Sequence, residues 1–159
     1  MAIKMLVMDV DGTLTDGKIY ISSRGEEFKA FNIKDGYGIS NILPTLGVIP
    51  VIVTGRSSGI VKRRAEELGI KEVYQGVNNK LELLVEICEK HMISLREVAY
   101  IGDDCNDILP MQAVSLSFAP NDCASEVKNI ANYLMESAGG RGAVRECIEH
   151  IKRISEGLE

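Results

Sequence analysis

Ile3-Lys4-Met5-Leu6-Val7-Met8-Asp9-Val10-Asp11-Gly12-Thr13 is the stretch that decides the fold. Its apolar run over Ile3–Val10 is nearly continuous, as in a central strand of a parallel sheet covered on both faces, and it ends in carboxylates. Val48–Thr54, Val73–Gln75, Val98–Gly102 and Val114–Phe118 repeat the pattern, with Tyr133–Met135 a weaker sixth strand. Between them Ser57–Leu68, Asn79–His91, Asp104–Ala113 and Asp122–Ile130 read as helices, and a last helix spans about Ala143 to Ile154. In the second helix Leu81, Leu84, Val85 and Cys88 fall at i, i+3, i+4 and i+7, an apolar stripe. Gly47 and Gly69 follow expected helix ends, where a left-handed residue commonly closes the last turn. Strand then helix, repeated, predicts an α/β protein: a doubly wound parallel sheet in one domain over residues 1–159.

One segment breaks that rhythm. Lys18–Ser22 and Glu26–Phe31 flank the short turn Ser23-Arg24-Gly25, so residues 18–31 read as a β-hairpin inserted after the first strand. It follows the aspartates directly, at the carboxyl ends of the strands where open parallel sheets bind ligands. From Asp11 to Thr54 there are 43 positions, already filled by the hairpin and one helix, which leaves no room for a separate cap domain.

Composition narrows the function classes. The chain has 159 residues, 45% apolar and 26% charged, which excludes disorder and low-complexity scaffolds. Eighteen basic against 23 acidic side chains give a net charge of −5, the wrong sign for a dedicated nucleic-acid binder. No apolar run reaches the roughly 18–20 residues of a membrane span, and the start lacks the cleavage region of a signal peptide. Cys88, Cys105, Cys123 and Cys147 form no CxxC pair, so they read as reduced thiols of a cytoplasmic protein. His91 and His150 read as exposed helix residues.

Four clusters carry chemistry. Asp9 and Asp11 close the first strand, and alternation in an extended chain puts both on one side. Gly102-Asp103-Asp104-Cys105-Asn106-Asp107 closes another, with more aspartates than a helix cap requires. At 4 Å and an effective dielectric of 20, each like-charged pair costs about 4 kcal/mol, so a cation must sit between the clusters. Hard oxygen donors without nitrogen or sulfur point to magnesium. Thr54-Gly55-Arg56-Ser57-Ser58 offers a hydroxyl and free helix amides, an anion-binding corner. Lys80, at a strand–loop–helix junction, is a fixed cation able to neutralise a nucleophile and a phosphoryl group.

Taken in order, these pieces resemble the haloacid dehalogenase superfamily of phosphotransferases: DxDGT, a strand-end Thr, a Lys and then GDD, over about residues 7–107. The resemblance implies that Asp9 is the nucleophile, Asp11 the acid and base, and that Thr54 and Lys80 hold the phosphoryl oxygens. It places magnesium on Asp9, the backbone carbonyl of Asp11, and Asp103, with Asp104 and Asp107 as outer or structural carboxylates.

Within that superfamily, Asp16-Gly17, Phe28-Lys29-Ala30-Phe31-Asn32, Lys34-Asp35-Gly36-Tyr37-Gly38-Ile39, Tyr74-Gln75-Gly76 and Ala138-Gly139-Gly140-Arg141-Gly142-Ala143 resemble the 3-deoxy-D-manno-octulosonate 8-phosphate phosphatase family. That family is capless and homotetrameric, supplies an intermediate for the lipopolysaccharide inner core, and has subunits that help close one another's sites. The likeness places sugar-acid contacts on Asn32, Ile33, Lys34, Asp35, Gly36, Arg56 and Arg64, beside Asp11 and Lys80. Gly139, Gly140 and Gly142 around Arg141 give a tail the backbone freedom to reach a site, the alternative being a plain loop before the last helix. Arginine suits a substrate carboxylate, and positions 56 and 64 on one helix would share a face.

Three departures stand out: Ser40 where some relatives are basic, Thr13 where many have Val, and Pro44 inside the helix after the hairpin. Two rival readings are a phosphatase of the related nine-carbon sugar acid 9-phosphate, where an acidic residue is expected at position 56, and an inactive oligomerisation module. The first is disfavoured by Arg56, the second by the intact DxD, Lys and GDD.

Overall fold

The computed structural model describes residues 2–158, so the two ends of the expected domain, residues 1 and 159, lie outside the described residues. Six parallel strands form one sheet: β1 (Met5–Met8), β4 (Ile49–Val53), β5 (Glu72–Tyr74), β6 (Val98–Ile101), β7 (Leu116–Ala119) and β8 (Tyr133–Leu134). The hairpin supplies β2 (Tyr20–Ser22) and β3 (Gly25–Phe28), which pair with each other in a separate two-stranded sheet. Sheet order is β5-β4-β1-β6-β7-β8. The chain winds outward from β1 to one edge and then crosses to β1's other side, so the order reverses at β1. Ligand sites in such sheets form beyond the strand ends at that reversal.

Strand alternation sorts the core. Leu6, Met8, Ile52, Ile101 and Phe118 face one layer: α1 (Ile33–Tyr37), α2 (Leu43–Leu46), α3 (Gly59–Leu68) and α7 (Ala143–Ser155). Met5, Val7, Val51, Val53, Val98 and Tyr100 face the other: α4 (Lys80–His91), α5 (Ile108–Ala113) and α6 (Ser125–Ile130). Every β1 side chain is fully buried, so this strand has no freedom to slip and its end is a rigid platform. Gly47 and Gly69 close their helices in the left-handed region, as expected.

Several expectations change. The α4 stripe is rotated: Leu84, Ile87 and Cys88 are buried behind Lys80, while Val85 is exposed. Alternative i, i+3, i+4 sets overlap in this apolar sequence, and the sheet selects the one that brings Lys80 to the strand ends. Between α1 and α2, Gly38–Ile42 forms a wide π-type turn, which carries the chain into Pro44 in the first turn of α2, where its missing N–H is not needed. His150 is buried rather than exposed, edge-on to Phe118 and against Tyr133. Its position on α7 belongs to the inward stripe of Val144, Cys147, Ile148 and Ile151. His91 is half-buried, with Nε2 3.1 Å from Glu72 Oε1.

Candidate active site

Beyond Met8 the backbone leaves the ladder and enters the wide turn Val10–Leu14. Gly12 makes this possible with φ +91°, and a Cβ there would run into the Asp103 carboxylate. Buried Thr15 braces the turn: its Oγ1 accepts from the amides of Gly12 and Gly17, each at 3.2 Å. The two aspartates expected on one side of the strand have different ion-pair partners. Asp9 faces Lys80 and Asp103, whereas Asp11 pairs with Lys29.

The centre is a buried cluster. Lys80, the first residue of α4, donates from Nζ to Asp9 Oδ1 at 2.9 Å and to Asp107 Oδ1 at 2.8 Å. Tyr100 on β6 donates its hydroxyl to Asp107 Oδ1 at 2.7 Å, and the Asp103 and Asp104 amides donate to Asp107 Oδ2. Asp107 is therefore a structural carboxylate that fixes Lys80 and the loop bearing Asp103. Thr13 donates from Oγ1 to Asp103 Oδ1 at 3.1 Å, a bond that valine at this position cannot make. Thr54 directly follows β4, beside β1, and is buried, its carbonyl accepting from the Val77 amide.

Electrostatics follow from three carboxylates against one ammonium. Burial pulls the Lys80 ammonium down, but Asp9 and Asp107 outweigh it and its pKa is raised. Burial, reinforced by Asp107, pushes the Asp9 carboxyl up despite Lys80. Burial and the hydrogen bond with Asp9 push Asp103 up to about 8. Carboxyl oxygens of Asp9, Asp103 and Asp107 lie within 4.8 Å of one another. Asp107 is saturated by Lys80, Tyr100 and backbone amides, so the ligands left for a cation are Asp9 and Asp103. An all-oxygen, under-neutralised donor set fits magnesium, which keeps several waters and takes one or two carboxylates.

The sequence profile of haloacid dehalogenase-like hydrolases matches residues 71–148. The 3-deoxy-D-manno-octulosonate 8-phosphate phosphatase of Escherichia coli K12 is 46% identical over 144 residues, covering 91% of this chain and 76% of that protein. The chain belongs to the 3-deoxy-D-manno-octulosonate 8-phosphate phosphatase family. The family's Yersinia pestis crystal structure superposes with a TM-score of 0.92 at 41% identity, covering 98% of this chain and 83% of that one. The Moraxella catarrhalis enzyme, in complex with magnesium ion, phosphate ion and KDO, gives 0.91 at 39%, with 98% and 91% covered.

The other residues expected from the family likeness scatter around the cluster. Asn32 caps α1, its Oδ1 accepting from Lys34 N at 2.8 Å. Ile33 and Lys34 are exposed. The Asp35 side chain is turned inward, accepting from Arg145 N on α7 at 2.8 Å. Gly36 lies under Arg64, whose guanidinium sits 5.6 Å from the Phe31 ring centre. Arg56 is exposed in the loop before α3 and so does not share a helical face with Arg64, because α3 starts only at Gly59.

Arg141 is exposed and lines a cleft with Asp16, Ala30, Asn32 and Gly140. The glycines around it are not simply slack. The Gly140 amide donates to Thr13 O at 3.1 Å, and a Cβ on Gly139 would strike the Gly12 carbonyl, so this loop packs on the Val10–Leu14 turn.

Sequence reasoning missed Lys29 and Tyr100. A tyrosine inside an otherwise apolar strand was the available signal for Tyr100, since a buried hydroxyl needs a partner. For Lys29 the signal was weaker: a lysine in an inward hairpin register between outward Phe28 and bridged Phe31.

Proposed function

We propose that this chain hydrolyses 3-deoxy-D-manno-octulosonate 8-phosphate to the free sugar acid and phosphate through an aspartyl-phosphate. The observation that carries the reading is Asp9 at the end of a fully buried strand, held by Lys80 and set against Asp103. Asp9 Oδ attacks phosphorus, the bond to the sugar's C8 oxygen breaks with its electron pair going to that oxygen, and Asp11 delivers a proton there. A water then gives a proton to Asp11 and attacks the phosphorus of the aspartyl-phosphate. The Asp9–phosphorus bond breaks, which restores the carboxylate and frees phosphate.

Bound by Asp9, Asp103 and the Asp11 carbonyl, magnesium would supply positive charge between the nucleophile and the phosphoryl oxygens. Lys80 adds a fixed charge on the same side, and Thr54 offers its hydroxyl to a phosphoryl oxygen. In this reading Arg56, Arg64 and Arg141, with Asn32, are the groups that recognise a sugar carrying a carboxylate. The hairpin's exposed Tyr20, Ile21 and Phe28 support a homotetramer in which neighbouring copies cover those faces and close the capless sites. Free thiols at all four cysteines suit a cytoplasmic enzyme of lipopolysaccharide synthesis.

The test is phosphate release from the eight-carbon and nine-carbon sugar-acid phosphates, with and without magnesium. Turnover should favour the eight-carbon substrate and vanish in folded Asp9→Asn. A folded Asp9→Asn protein that keeps wild-type activity, checked for reversion to aspartate, removes Asp9 from the mechanism.

A further inference from the structure

Lys29 has no part in the chemistry above, yet its side chain is 0% exposed and its ammonium pairs with Asp11 Oδ1. Lysines are almost never fully buried unless paired. The position is fixed from both sides. Lys29 directly follows β3, and two residues later Phe31 bridges back to Thr15, the residue that braces the Val10–Leu14 turn. The hairpin's return strand and the turn bearing Asp11 are therefore one unit, joined through a partly buried ion pair. The same return strand presents Phe28 outward, stacked 4.3 Å from Tyr20.

We propose that Lys29 is a positioning residue for proton transfer: it fixes the Asp11 carboxyl by Oδ1 and leaves the other oxygen to reach the departing sugar oxygen. This rests on the reading of Asp11 as the group that delivers the proton. Lys29 does not touch substrate, because its side chain is enclosed. Through it, correct seating of the hairpin becomes a condition for a correctly aimed Asp11.

The leaving group separates this role from a merely structural one. Sugar C8 oxygen departs as an alkoxide unless it is protonated, whereas p-nitrophenolate departs without help. The rate of phosphoryl transfer to Asp9 is measured in single turnovers with magnesium, on 3-deoxy-D-manno-octulosonate 8-phosphate and on p-nitrophenyl phosphate. Lys29→Met should slow the sugar substrate by at least about tenfold and the aryl substrate by less than about threefold, with KM little changed. Lys29→Arg should recover part of the loss. Asp11→Asn should show the same selectivity, more strongly.

Equal loss on both substrates in Lys29→Met, or no loss, overturns the proposal while a selective Asp11→Asn keeps the acid assignment. Equal loss in Asp11→Asn overturns both. Should Lys29→Met fail to fold, Lys29→Gln keeps a donor and much of the volume, and the same two outcomes decide.

Discussion

Lys80 Nζ lies 2.9 Å from Asp9 Oδ1, across 71 positions of sequence, with both side chains almost wholly buried. This pair ties the end of β1 to the start of α4, and through Asp107 to the loop after β6. Two strand ends and one helix start are thus gathered on one ammonium. The same charge that stabilises the fold stands where a phosphoryl group would arrive.

Removing it should cost both. Lys80→Met leaves Asp9 and Asp107 facing each other without a cation, and breaking a buried pair typically costs about 3–5 kcal/mol. We expect kcat to fall about 10²–10³-fold, as for loss of one preorganised electrostatic donor. Urea midpoints and steady-state kinetics on the same preparation check both. A variant with wild-type kcat would show that Lys80 serves stability alone.

Magnesium should stabilise as well as activate. An ion that binds the folded cluster and not the unfolded chain raises stability as its concentration passes its dissociation constant. Chelator should abolish turnover, magnesium should restore it and raise Tm, and calcium, with looser coordination, should inhibit. Asp103→Asn should remove the magnesium-dependent rise in Tm while leaving the protein folded. A Tm rise that persists in Asp103→Asn would place the ion elsewhere.

Asp35 makes a prediction about pH. Burial pushes its carboxyl up to about 6 from the usual 3.8, against the pull of Arg145 and Arg64. Between about pH 4 and 6 the folded chain then binds more protons at this site than the unfolded chain, so stability falls as pH rises through that window. The gap of about two pKa units corresponds to about 3 kcal/mol. Asp35→Asn keeps an oxygen for the Arg145 amide and loses the titration. Denaturant unfolding at pH 4 and pH 7.5 should show wild type losing that much relative to the variant; parallel curves would refute the assignment.

How much of this was legible depended on range. The sheet was readable because each strand is a short apolar run, and β1's complete burial is what a run without polar alternation means. Asp9, Lys80 and Asp103 were readable because each sits where such a run or its following loop ends. Asp11's partner was not, since Lys29 arrives from a hairpin 18 positions away. The partner of Asp35 was not legible for a similar reason: the N-terminus of α7 lies 110 positions on, and no local pattern reports it. His150 looked exposed because its neighbours Glu149, Lys152 and Arg153 are polar, whereas position on the 3.6-residue stripe decided its burial.

The hairpin supplies the last prediction. Tyr20, Ile21 and Phe28 are 41%, 69% and 53% exposed, and Tyr20 stacks on Phe28, so an apolar surface faces solvent in the single chain. A two-stranded hairpin is at best marginally stable by itself, and this one pairs with no strand of the main sheet. Copies of the same hairpin around a symmetry axis would bury these faces and hold the return strand that carries Lys29. Ile21→Glu with Phe28→Glu places like charges at the centre of that assembly. Wild type should sediment as a tetramer and the double variant as monomers or dimers, with its helical content kept. Its kcat on the sugar substrate should fall more than on p-nitrophenyl phosphate, because an unseated hairpin misaims Asp11. A fully active monomer would separate the hairpin from catalysis, while the contact between Lys80 and Asp9 would stand unchanged.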